Sequence, residues 1–170
     1  MGGRKAKTME ALGLRDDLAD KSAIAAQNSL QLIAFSIGEQ TYGVEITTVR
    51  EIRAWNGATP LPNTRPFVRG VINLRGTIVP IFDLRARFGD GQTSATKNHV
   101  VVVMSVGEKW VGILVDAVSD ILTVSRDDIH NVPEGHSLDT ELLNGIVTHE
   151  SRMVGLIDLH AVVSGAKLDG

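Results

Sequence analysis

A chain of 170 residues is long enough for one globular unit or two small ones. With 43% hydrophobic and 22% charged residues, and no apolar run near the ~20 needed to cross a bilayer, composition excludes both a disordered chain and a helical membrane protein. The lack of cysteine removes disulfides, thiolate nucleophiles and Cys-held metals, and 17 basic against 20 acidic residues with only 4 Phe, 2 Trp and 1 Tyr argue against a nucleic-acid surface.

The N-terminus is basic but lacks the apolar stretch of a secretion signal, so a cytoplasmic protein is expected. Residues 1–29 read as an N-terminal extension, flexible or a short helix, with Met9, Leu12, Leu14 and Leu18 near helical spacing. From Leu30 the texture changes to short β-type runs: Leu30 to Ile37, Thr41 to Val44, Val71 to Leu74, Thr77 to Phe82, Val100 to Val106, Val111 to Val115 and Met153 to Ile157. Turn signals at Gly38-Glu39, Arg75-Gly76 and Gly107-Glu108 separate them. The pattern predicts a mainly all-β fold built as small barrels or a sandwich.

Sliding the chain along itself reveals an internal repeat. Leu32 to Val44 lies over Val101 to Ile113 at an offset of 69, and the match continues with Thr47 to Ile52 over Asp116 to Ile121. A second block, Gly70-Val71-Ile72 and Ile78 to Leu84, lies over Gly145-Ile146-Val147 and Met153 to Leu159 at an offset of 75. Two copies of one β-unit of about 60 residues follow, a size that is marginal alone, so the halves are expected to pack on each other. The first should span about 30–90 and the second about 98–160, inside one domain of 30–163, with exchange of a strand or helix between them left open and 164–170 as a tail.

Most repeated residues have structural readings. Ser-x-Gly-Glu with a Gly four residues later predicts a tight hairpin and a close approach of chains. Pro80 and Gly155, equivalent inside a strand, suggest a shared bulge or barrel corner. Val49 with Ile52, and Val118 with Ile121, are three apart and suggest a short helical turn. Asp83 and Asp158, one per copy before Leu, read as caps rather than as a catalytic pair.

Catalytic signatures are absent: there is no G-x-G-x-x-G, Walker loop, G-x-S-x-G or H-E-x-x-H. His99, His130, His136, His149 and His160 lack metal-ligand spacing, so no metal, cofactor or enzymatic site is expected. A small-ligand or hydrolytic β-barrel using these histidines with Asp83 or Asp158 is the rival from another class. The clearest difference between copies is Asn73-Leu74-Arg75-Gly76, replaced by Thr148-His149-Glu150-Ser151, which puts an arginine at one hairpin tip and a glutamate at the other. Arginine forks to carboxylates and is enriched at binding hot spots, although a solvated loop arginine gives the same pattern.

Tyr42 to Ile46 leading into Val49-Arg50-Glu51-Ile52-Arg53, then Pro62 to Arg85 with its N-L-R-G-x-I-V-P-I-x-D-L string, resemble the CheW family of bacterial chemotaxis coupling proteins. Val111 to Leu122 is similar to that family's second half, and the likeness covers roughly 30–163. The resemblance implies two tandem SH3-like five-stranded β-barrels with short helices. It implies a non-enzymatic adaptor, without cofactor, joining chemoreceptor tips to the regulatory domain of the histidine kinase CheA. It further implies ring-forming contacts with CheA or other CheW-like domains, and a cytoplasmic protein recruited to membrane-associated arrays without entering the membrane. A coupling protein of a non-flagellar chemosensory pathway is the runner-up. Positions matching the family's receptor-contact pattern include Val49, Glu51, Gly70 and Arg75. Asn73 and Gly76 are added as shapers of the turn, and Val115 and Val118 as a groove wall of the second barrel.

Overall fold

The computed structural model describes residues 28–133 and 139–164, so the expectations for residues 1–27, His136 and the segment 165–170 lie outside the described residues. Among the described residues there are ten strands: β1 Ser29–Ile37, β2 Gln40–Glu45, β3 Val49–Ala54, β4 Val68–Leu74, β5 Thr77–Asp83, β6 Val100–Val106, β7 Lys109–Val115, β8 Ala117–Ser125, β9 Leu143–His149 and β10 Arg152–Ile157. Short helices α1 Leu84–Arg87, α2 Asp139–Leu142 and α3 Leu159–Val163 accompany them. The strands form two five-stranded sheets, in the orders β8-β1-β2-β10-β9 and β3-β6-β7-β5-β4. The mainly β architecture expected from the sequence is the one observed.

The sheets do not divide the chain at the repeat boundary near residue 90. Each copy sends part of itself into the other's sheet: β3 to β5 share a sheet with β6 and β7, while β8 to β10 join β1 and β2. The connections explain the exchange. Only the 3-10 turn Ile46–Thr48 separates β2 from β3, and only Asp116 separates β7 from β8, so each chain bends directly into the facing sheet. The tandem barrels are therefore interleaved.

Apolar residues fill both faces of the central strands, which is why their sequences read as nearly continuous Val and Ile runs. On β1, Leu30, Leu32 and Ala34 point into one barrel, while Ile33, Phe35 and Ile37 join a core shared between the sheets. On β6, Val101 and Val103 fill the other barrel, and Val102 and Met104 enter the shared core. Among the described residues three apolar clusters result, and the shared one holds residues of both sheets. Gly43 and Gly112 are the close approaches expected after each hairpin, since a Cβ on Gly112 would stand 2.6 Å from Ile81 Cδ1.

Each sheet is tied into a barrel by the same device. Beyond β3, Thr59 exchanges backbone hydrogen bonds of 2.8 and 2.9 Å with Val71 of β4. Beyond β8, His130 does so with Ile146 of β9, both at 2.8 Å. These bridges satisfy part of what would otherwise be exposed sheet edges.

Two local expectations are corrected. Val49–Ile52 and Val118–Ile121 lie on strands, not on a helical turn. A bulge follows Val49 on β3, and another interrupts the pairing of β8 with β1. With one extra residue inserted, Val49 faces Met104 and Ile52 faces Val102, so residues three apart share a sheet face and imitate helical spacing. Pro80 and Gly155 mark no bulge: both stand in register, opposite Val71 and Ile146, and the register shifts fall at Val68/Gly70 and Leu156/Ile157. A Cβ on Gly155 would press on Tyr42 and Leu143, which accounts for the small residue there.

Candidate functional site

Val71-Ile72 and Ile78-Val79 supply the two arms of a hairpin, and Arg75-Gly76 turns it. Leu74 pairs with Thr77, and φ is +52° at Arg75 and +92° at Gly76. Two successive left-handed residues make the tight turn whose twist matches the strands. The Asn73 side chain accepts a 2.7 Å hydrogen bond from the Gly76 N–H and so locks the tip. Asn73 and Gly76 thus shape the turn.

The turn delivers Arg75 to the barrel seam. Its Nη1 lies 3.0 Å from Glu51 Oε1 on edge strand β3, while the Arg75 side chain keeps 68% of its surface exposed. Arg53 approaches the other Glu51 oxygen at 3.4 Å. An exposed pair of this kind adds little stability, about 0–1 kcal/mol. It does hold a guanidinium in a defined place with donors left for a partner. Ile52 of β3 and Ile78 of β5 are 43% and 59% exposed.

The copies are more alike here than the Arg-to-Glu replacement suggests. Glu150 and Ser151 repeat the left-handed turn, with φ of +49° and +67°. The arginine reappears two residues later, where Arg152 Nη2 lies 3.4 Å from Asp120 Oδ2. Asp120 is the offset-69 equivalent of Glu51. The exposed apolar pair recurs as well, since Ile121 and Met153, equivalent to Ile52 and Ile78, are 58% and 62% exposed. The repeat alignment carries this signal, because Glu51 over Asp120 keeps an acid in place.

The remaining site positions separate by burial. Gly70 is buried with φ at +136°, and a Cβ there would collide with the Thr59 carbonyl. Its role is to let the seam close. Gly145 does the same opposite His130. Val49 and Val118 are half-buried at repeat-equivalent places on the two edge strands and pack on the shared core. Val115 corrects the groove-wall expectation: it is 1% exposed inside the shared core, because it ends the central strand β7, which is buried throughout from Val111 to Val115, before the chain crosses at Asp116. The structure therefore unites Glu51, Asn73, Arg75 and Gly76, places Val49 at the head of the same strand as Glu51, and sets Val118 on the other sheet.

A groove of about 510 Å³ opens between the sheets. Leu30, Leu32, Val44 and Leu156 come from one sheet, and the β6–β7 turn, Ser105 to Gly107, closes it from the other. Glu45 and Thr48 line it on the approach to Val49, and Arg126 stands 3.8 Å from Glu45.

Two polar networks lie outside the groove and seam. Asp116, at the β7–β8 crossover, accepts from the Gly38 N–H at 2.6 Å and from Arg85 at 2.9 Å, with His99 Nε2 3.5 Å away. Asp83 is fully buried; it accepts from Thr93 N and Thr93 Oγ1 at 2.7 Å and from the Ala86 N–H at 3.3 Å, with Arg69 at 3.5 Å. Asp158 accepts from the Ala161 N–H at 3.2 Å. Both aspartates are the helix caps expected of them. Among the described residues no group of three His, Cys, Asp or Glu side chains could hold a metal ion, and no helix is long and apolar enough to cross a membrane.

Comparison with known proteins adds to this geometry. Residues 31–167 match the family model described as the CheW-like domain. A probable chemotaxis protein CheW of Rhizobium etli is 48% identical over 81% of this chain and 90% of its own length. The chemotaxis protein CheW of Rhizobium meliloti is 46% identical over 78% of this chain and 86% of its own. The crystal structure of the scaffolding protein TtCheW from Thermoanaerobacter tengcongensis superposes with a TM-score of 0.73 at 32% identity, covering 78% of this chain and 86% of that one.

Proposed function

This chain belongs to the CheW-like family and is a chemotaxis scaffold protein, and from that premise we propose that it joins chemoreceptor signalling tips to the regulatory domain of the histidine kinase CheA. It performs no catalysis in this reading and needs no cofactor. Its work is to hold two partners in fixed relation, in the cytoplasm, at membrane-associated receptor arrays.

The observation that carries the reading is a barrel seam that presents a positioned arginine, in a molecule that also opens a groove of mixed polar and apolar lining between its sheets. A receptor tip is helical, and a helix laid in such a groove gains affinity from apolar anchors. Leu30, Leu32, Val44 and Leu156 supply the floor, and Val49 extends it toward β3. Arg75, tethered by Glu51, offers its free donors to a carboxylate of the receptor, which fixes register. Asn73 and Gly76 hold that arginine's backbone in the left-handed turn. Val118 is proposed as the corresponding contact on the second edge strand.

The kinase would dock on the barrels themselves. Each barrel exposes an apolar pair beside an acid–arginine seam, Ile52 and Ile78 in one, Ile121 and Met153 in the other. Two similar but unequal faces suit heterologous contacts, which can close into rings with CheA or other CheW-like domains.

Mixing the chain with a receptor signalling fragment and CheA tests the proposal. Arg75→Glu should lower retention of the receptor fragment by at least about tenfold, as for a hot-spot residue, while far-UV circular dichroism stays native. Unchanged retention by the folded variant would remove Arg75 from the receptor site.

A further inference from the structure

The two barrels part company where a parallel strand pair joins their hairpins. In the second half β10 runs beside β2, Val154 with Thr41, Gly155 with Tyr42 and Leu156 with Gly43. In the first half the pairing of β5 with β7 starts only at Ile81 with Gly112, so the pairs equivalent to Val154 with Thr41 and Gly155 with Tyr42 are missing. Pro80 is the cause. It stands opposite Val71, whose N–H and carbonyl both go to Thr59 on the far side, so alternation turns the Pro80 backbone toward β7, where a proline has no N–H to give. The strands separate there.

Side chains fill this place in one half and leave it open in the other. Tyr42 stacks on Phe88 with ring centroids 4.8 Å apart, and both rings are buried in the shared core. Gly155 makes room for them, since a Cβ there would stand 3.1 Å from Tyr42 Cδ1. The repeat offsets of 69 and 75 put Val111, Val163 and Pro80 at the places of Tyr42, Phe88 and Gly155, so two rings become two valines. A cavity of about 780 Å³ opens, lined by Ile78, Pro80, Val106, Trp110, Val111 and Val163. Such a volume lies within the range of binding pockets. The rim changes charge as well: Lys109 stands where the second barrel has Gln40, next to an acid kept in both copies, Glu108 over Glu39. Lys109 is exposed and, among the described residues, forms no salt bridge.

We propose that this cavity docks an exposed aromatic side chain of a protein partner, with a carboxylate beside it in the partner's sequence meeting Lys109. The second barrel is the template, because rings are what the same frame holds when it is filled from within. A partner's ring entering over Pro80 and Val163 restores the packing that Tyr42 and Phe88 provide there, and aromatic side chains are the usual anchors of interface pockets. A second copy of the chain offers no such ring: its 4 Phe, 2 Trp and 1 Tyr are all buried or half-buried. The cavity shares only Val106 with the groove of the receptor reading, so the two sites stand or fall separately. Thr77 and Ile78 make it continuous with the Arg75 hairpin, so a partner seated on that barrel face reaches it.

Trp110 lines the cavity and Trp55 is the only other tryptophan, so Trp55→Phe in the full chain leaves Trp110 fluorescence as the reporter of what enters. That protein is titrated with the end-blocked peptides Ala-Phe-Glu-Ala, Ala-Leu-Glu-Ala and Ala-Phe-Gln-Ala. The first should bind about threefold or more tighter than the leucine peptide. It should also bind about twofold tighter than the glutamine peptide, a difference that Lys109→Gln removes. Val111→Tyr with Val163→Phe installs the second barrel's own rings and should abolish the response. Val163→Phe alone, at a half-buried position, gives the same test if circular dichroism shows the double variant unfolded. Equal binding of the phenylalanine and leucine peptides, or binding that survives a filled cavity in folded protein, would overturn the proposal. So would tighter binding of free 3-phenylpropionate than of the phenylalanine peptide, which would assign the cavity to a small aromatic acid. A concentration-dependent dimer in sedimentation, lost on filling the cavity, would give the site to a second copy and overturn it too.

Discussion

The two halves of the molecule share a frame and differ in what surrounds it. Both have a hairpin into an interleaved sheet, a glycine that lets the seam close, an acid–arginine pair across that seam and an Asp cap before a short helix. In the first half the cap is sealed by the chain between the barrels, and the seam arginine sits on the turn itself. In the second the cap borders an open groove, and the arginine has moved two residues along. Duplication accounts for the shared parts. The differences mark where a partner needs one site rather than two.

The largest effect expected from breaking this comparison is at the seam glycines. Gly70→Ala combines a left-handed φ with a collision against the Thr59 carbonyl and should cost about 3–5 kcal/mol in urea unfolding. Gly145→Ala has no such φ, and its Cβ would stand 2.7 Å from Ile129 Cγ2 and 2.9 Å from the His130 carbonyl oxygen, a milder backbone clash than the one at Gly70. About 1–2 kcal/mol is expected there. Equal losses would mean that the two seams bear equal strain.

The caps come next. Asp83→Ala strands the buried Thr93 donors and should cost about 3 kcal/mol, measured by the same unfolding. Asp158→Ala removes only a helix cap, for about 1 kcal/mol. A smaller difference between the halves is expected from the seam arginines when stability is the readout. Arg75→Glu and Arg152→Glu should each change it by about 1 kcal/mol or less, because both pairs are largely exposed. Only Arg75→Glu should impair receptor binding. Exchanging the charges, Glu51→Arg with Arg75→Glu, should restore stability but not binding if the guanidinium itself meets the receptor.

The strands with clear alternation or continuous Val and Ile runs were legible in the sequence, as were the hairpin turns at Gly38, Arg75 and Gly107. Strands β3, β8 and β9 were not. On β3 and β8 a bulge gives Val49–Ile52 and Val118–Ile121 a spacing that imitates a helix. On β9 polar residues, Asn144, Thr148 and His149, interrupt the pattern. Strand exchange was left open because the repeat fixes which residues are equivalent, not which sheet they enter; the crossovers are as short as the Ile46–Thr48 turn and the single residue Asp116. At the site, Arg75 with Asn73 and Gly76 could be found from the difference between copies. Its partner Glu51 followed from family likeness, with the acid kept over Asp120 in the repeat as its one further trace, because a salt bridge between residues 24 positions apart leaves no periodic pattern. Val115 was misplaced because an apolar residue next to a strand end looks the same whether it faces a groove or the core.

The most direct test of the scaffold account is reconstitution of the chain with a receptor signalling fragment and CheA, reading kinase autophosphorylation. The account predicts no effect of the chain on either partner alone, and a change in kinase activity only when all three are combined, lost with Arg75→Glu. A change in kinase activity without receptor, or none with all three components present, would contradict it.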